Sequence, residues 1–121
     1  IEDNVIFFGF SENIPLILAL ADLCILTSLR EGLPRVVVEA SLCKVPTVSF
    51  EVEGIHEIIT DKESGFVIYN RDVKELTKRI IEMFENPEMM NKFAEKAFEH
   101  VKMNWDYQIM VNKLERIYLS G

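Results

Sequence analysis

Cysteine is scarce in this chain, two residues in 121, and neither belongs to a Cys-x-x-Cys pair or a Cys/His cluster. That spacing argues against a zinc site or a disulfide framework and fits buried, reduced thiols in a cytosol. Histidine is equally sparse: His56 and His100 stand far apart and no Asp-x-Asp occurs, so no metal-ligand pattern can be read. Positive charge is in the minority, with 13 Lys and Arg against 20 Asp and Glu and a net charge of −7. Nucleic-acid binding through displaced counterions needs the opposite balance, so no nucleic-acid partner is expected. No run of about 18 apolar residues exists, and no transmembrane segment is predicted. The longest apolar stretch, 14–26, is interrupted by Pro15 and Asp22. Internal repeats, low-complexity tracts and flexible linkers are also missing.

What is present is a globular composition, 49% hydrophobic. The length suits a single domain, 1–121, although it falls short of the roughly 150 residues of a comfortable α/β domain. The chain opens on Ile1 and runs almost at once into an apolar strand, which reads as a piece of a longer protein. Short β-branched runs alternate with helical patterns. Strands are predicted near 5–8, 23–26, 47–50 and 65–68, with helices near 14–20 and 34–43 and a short one near 55–60. This alternation predicts a parallel sheet of about four strands with helices on its faces, and ligands at the carboxyl ends of the strands. Beyond it the pattern is helical. Asp72 reads as an N-cap before the stripe Val73, Leu76, Ile80, Ile81 and Phe84. Asn86-Pro87-Glu88 opens a second helix with Met90, Phe93, Ala94, Ala97 and Val101 inward, and a third runs from about 107 to 119.

The stretch from Ser28 to Ala40 carries the chemistry. Pro34 suits a first helical position, since its missing N–H would have no partner there and its φ is already near the helical value. Gly32 lets the backbone take a positive φ or approach a ligand closely. The free N–H groups of the first turn, together with the helix dipole, favour an anion in front of them, and a phosphate would fit. Glu31 lies in the turn beside this spot and Glu39 about a turn and a half inside the helix, so two carboxylates bracket one elongated ligand. Arg30 and Arg35 flank the same spot as ordinary surface arginines or as added positive charge. Ser28 reads as a turn hydroxyl, because no general base stands at a recognisable spacing. His56 reads as structural or solvated, and Trp105 with Tyr107 as a packing anchor.

Glu31 and Glu39, with seven residues between them, resemble the acidic pair of the retaining, nucleotide-sugar-dependent glycosyltransferases of the GT-B type, which include the sucrose and glycogen synthases. The flanking segments are similar in order and spacing: Val5-Ile6-Phe7-Phe8-Gly9-Phe10, Ala21 to Ser28, Val45 to Phe50, Gly54 to Ile59 and Ser64 to Ile68. The resemblance runs from about Val5 to Phe84 and more loosely to the end. It implies the latter half of the carboxy-terminal, Rossmann-like, donor-binding domain of such an enzyme, with the acceptor domain absent and the fragment alone inactive.

Carried over position by position, the resemblance makes Glu31 the catalytic-site acid beside the donor sugar. It makes Gly32, Leu33 and Pro34 backbone contacts to sugar and phosphate, Glu39 the acceptor of the ribose hydroxyls, and Phe10 and Ser11 the lining of the base. A sugar nucleotide would be the donor and a glycan or lipid-linked saccharide the acceptor. No metal or other cofactor is implied, and the location would be cytoplasmic, at the inner face of the membrane in the full-length protein. Glu53 departs from the pattern, standing where a glycine is common before Gly54. A shortened sheet should also leave an open edge at the 5–8 strand or its neighbour, which invites homodimer pairing. The reading of a different class is an α/β interaction or regulatory module that keeps the fold without the chemistry.

Overall fold

The computed structural model describes residues 1–120. Its centre is a three-stranded parallel sheet of β1 (Cys24–Leu26), β2 (Thr47–Phe50) and β3 (Phe66–Ile68), in the order β1-β2-β3. The register pairs Cys24 with Thr47, Leu26 with Ser49, Val48 with Phe66 and Phe50 with Ile68. Because side chains alternate along a strand, this register places Cys24, Leu26, Thr47, Ser49 and Val67 on one face. Val48, Phe50, Phe66 and Ile68 occupy the other. All four residues of the central strand are buried, as a sheet covered on both faces requires.

The helices supply both covers. Helix α1 (Ile14–Ala19) and α2 (Arg35–Leu42) lie before and after β1, while α3 (Val73–Glu85), α4 (Pro87–Asn104) and α5 (Tyr107–Ser120) close the chain. Val37 of α2 packs with Leu26, Val67, Ile55, Ile58 and Ile59 over the first face. Leu76 and Met83 of α3 pack with Val48, Phe50, Phe66 and Ile68 over the second. Helix α4 serves both, giving Phe93 to the second cluster and Ala97 and Val101 to the first. Each of these Val, Leu, Ile, Phe and Met side chains contributes about 1.5–3 kcal/mol when fully buried, and the smaller Ala97 less. The predicted caps form: Asp72 accepts from the N–H groups of Lys74 and Glu75, and Asn86 from that of Met89.

Four expectations change. Residues 5–8 form no strand, so the sheet has three strands where about four were expected. Ile6 and Phe7 are 77% and 94% exposed, and a strand without a ladder partner has no reason to persist. The helix predicted from Pro34 begins at Arg35, with Pro34 in the N-cap position. The short helix near 55–60 is a single 3-10 turn, Ile55–Glu57. The inward stripe of α3 is Leu76, Ile80 and Met83, whereas Val73, Ile81 and Phe84 are exposed. The reason is geometric: the sheet is narrow enough that only one strip of this helix meets it.

Candidate functional site

Parallel strands put their carboxyl ends on one edge, and the loops after β1, β2 and β3 therefore meet there. The loop after β1 carries Glu31. Its backbone closes as the N–H of Arg35 donates to the Leu33 carbonyl at 2.8 Å around Pro34, whose φ of −75° and ψ of 81° are those of an inverse γ-turn. No side chain caps α2 and its first turn contains no acid, in contrast to α3 and α4. The positive end of its dipole is thus left uncompensated, as an anion-binding helix start requires.

The loop after β2 lies directly on this turn. Gly54 has a φ of +77°, and a Cβ there would stand 2.8 Å from the Gly32 carbonyl oxygen and 3.2 Å from Leu33 Cδ1. Of the two uses expected of Gly32, a positive φ or a close approach to a ligand, the first does not occur there; the positive φ is at Gly54, on the other side of the contact. Behind the loop, His100 Nε2 donates to the Glu57 carbonyl at 2.8 Å. A carbonyl only accepts, so the imidazole carries its proton on Nε2, leaving Nδ1 to face the Asn104 amide at 3.4 Å. Helix α4 thereby holds the loop against the turn.

Glu31 and Glu39 are both half-buried, neither walled into the core nor free in solvent. Glu39 and Leu33 open into a groove of about 910 Å³ shared with Arg35, Glu57, His100 and Lys113. Glu31 and Gly32 are outside its lining, in the turn that leads to it. Pro34 exposes almost nothing and shapes the turn from the N-cap position of α2. Phe10 is 91% exposed, and the Ser11 hydroxyl accepts from the Asn13 N–H at 3.1 Å. They precede α1, whose Ile14 and Leu18 pack with Ala40 in the second half of α2 and with Cys43 just after it. The structure therefore groups Leu33 and Glu39, seats Glu31 and Gly32 beside them, and keeps Phe10 and Ser11 on a separate segment. Glu57 and His100 join the groove through tertiary packing, with no signal in the sequence that could have paired them.

Residues 1–100 match the family described as Glycosyl transferases group 1. The chain belongs to that family. Among relatives of this group 1 glycosyltransferase chain, the N-acetyl-alpha-D-glucosaminyl L-malate synthase of Bacillus anthracis is 31% identical over 118 residues, covering 98% of this chain and 31% of the relative. The putative glycosyltransferase EpsD of Bacillus subtilis is 33% identical over 94 residues, covering 78% of this chain and 25% of the relative. Among solved structures, Anabaena HepE in complex with UDP superposes with a TM-score of 0.93 at 28% identity, covering 99% of this chain and 33% of that one. The chain thus spans about a third or less of the length of the proteins it matches. The three-stranded parallel sheet with its flanking helices is a part of a GT-B glycosyltransferase fold. Among the described residues, no helix is long and apolar enough to cross a membrane.

Proposed function

We propose that this chain is the latter half of the donor-binding domain of a retaining glycosyltransferase, in which Glu31 and Glu39 engage opposite ends of one nucleotide-diphosphate sugar. The observation that supports it is an uncapped helix start at the carboxyl edge of a parallel sheet, preceded by Glu31 and followed a turn later by Glu39 in an open groove. Glu39 accepts from the vicinal ribose hydroxyls, where a charged acceptor makes stronger bonds than a neutral one. Gly32 and Leu33 face sugar and phosphate with their backbone, and Phe10 and Ser11 line the base. In the reaction the bond from the anomeric carbon to the diphosphate oxygen breaks, a bond to the acceptor hydroxyl oxygen forms, and the hydroxyl proton passes to the leaving diphosphate. Positive charge developing on the sugar is stabilised by Glu31, and the leaving diphosphate by the N–H groups that open α2. The step needs no metal, so turnover should persist in excess chelator.

The acceptor is a glycan or lipid-linked saccharide held by a separate domain, and the reaction belongs to polysaccharide synthesis in the cytoplasm, at the inner face of the membrane. The outer edge of β1 invites pairing with a second copy. Sedimentation showing only monomer at high concentration would remove that homodimer.

The test is calorimetric titration of UDP and GDP into the full-length protein. Glu39→Gln should weaken the nucleotide that binds by about tenfold, the value of one charge-assisted hydrogen bond, with the melting midpoint unchanged. Unaltered affinity would show that Glu39 does not hold the ribose. Absence of binding by either nucleotide would favour the non-catalytic module.

A further inference from the structure

The loop after β3 makes a contact that neither composition nor family pattern anticipates. Asn70 and Arg71 both sit in the left-handed region, with φ of 55° and 52°. Asparagine tolerates this conformation, whereas a long side chain such as arginine is disfavoured there. The turn carries Arg71 back over the sheet edge, and its Nη2 donates to the Leu29 carbonyl at 2.8 Å. Leu29 follows β1, and β1 and β3 are separated by β2, so the guanidinium spans about two strand spacings, roughly 10 Å. A shorter donor would fall short of that carbonyl. From the same turn, the Tyr69 ring stacks on His56 at 6.2 Å and 24°, and His56 Nε2 lies 3.4 Å from Glu51 Oε1 in the loop after β2. One strained turn therefore grips the loops that follow both other strands.

We infer that Arg71 is a positioning residue, whose guanidinium on the Leu29 carbonyl fixes the backbone two residues before Glu31 and so holds that carboxylate at the reacting end of the donor. The inference rests on the reading of Glu31 given above. It acts on placement, not on binding: the Leu29 carbonyl is anchored, the peptide planes of Arg30 and Glu31 follow it, and Glu39 on its helix is untouched.

The experiment uses the full-length protein and measures nucleotide release with UDP-glucose, UDP-N-acetylglucosamine and GDP-mannose, taking the donor that the wild type turns over. Arg71→Gly, Glu31→Gln and the double variant are compared. Glycine suits a φ near +52° better than arginine does, so Arg71→Gly should melt no lower than wild type. Its kcat should nonetheless fall about tenfold, the scale of a sub-ångström misplacement, with donor KM unchanged. In the Glu31→Gln background the same change should have little further effect, because the two residues act as one unit.

An Arg71→Gly variant with wild-type kcat overturns the inference, as does a tenfold loss that persists in full in the Glu31→Gln background. A lower melting midpoint with a raised KM also overturns it, by showing a merely structural role. Wild-type kcat in Glu31→Gln alone instead overturns the reading of Glu31, and the inference falls with it. An inactive wild type overturns both.

Discussion

Gly54 has two reasons to be glycine: its φ is positive and its Cβ position is occupied by the Gly32 carbonyl. Alanine there meets both penalties at once, and Gly54→Ala should cost about 1–3 kcal/mol, read as a lower urea midpoint at constant m-value. Because the displaced group is the Gly32 backbone, which the proposal turns toward sugar and phosphate, nucleotide affinity should fall as well. Cys24 and Cys43 make a second pair of expectations. Burial pushes the Cys24 thiol up, and the Thr47 hydroxyl across the ladder offsets this only in part. That hydroxyl is itself buried with no well-formed hydrogen bond, so desolvation decides. A raised thiol favours the neutral form in the fold. Its contribution is complete below the ordinary thiol range and is lost only as pH rises through the higher folded value. Iodoacetamide at neutral pH should therefore alkylate the half-exposed Cys43 well before Cys24, which peptide mass mapping would show. The acidic pair was legible at this scale because Glu31 and Glu39 share one turn and helix. The partners of Glu39 across the groove were not, because His100 and Lys113 arrive from helices far along the chain.

Helices announced themselves through their ends. Asp72 satisfies two N–H groups, at 2.9 and 3.1 Å, and Asp72→Ala should cost about 1 kcal/mol, measured as a drop in thermal midpoint. Asn86→Ala removes one such bond, at 3.1 Å, and should cost less. Those caps and the buried residues of β2 follow from local pattern and backbone chemistry. The strand expected at 5–8 shows where that reasoning stops. Its residues have the right composition, but a strand is completed by hydrogen bonds to a neighbour and none is offered here. The α3 stripe erred for a related reason, since periodicity selects an apolar arc and the neighbouring elements select which part of it is covered.

At the scale of the molecule, the apolar surface is unevenly closed. Ile6, Phe7 and Phe10 are exposed at one end, and Ile117, Tyr118 and Leu119 at the other, on an α5 that buries no residue. Patches of this kind mark contact with further protein. The 121-residue chain produced alone should self-associate with rising concentration, and Ile6→Lys with Phe7→Lys should reduce this in sedimentation without moving the melting midpoint. Neither side chain packs in the core, so a midpoint shift would show that they do.

The sequence by itself determined the alternation of strands and helices, the capped starts of α3 and α4, and the acidic pair on either side of a helix opening. Each of these depends on residues a few positions apart, where backbone preference and periodicity act directly. Only the tertiary structure decided that three strands pair and a fourth does not, that Gly54 presses on Gly32, and that Arg71 reaches Leu29. Those outcomes depend on groups brought together over long stretches of chain, and no local preference encodes which carbonyl a distant guanidinium or glycine will meet.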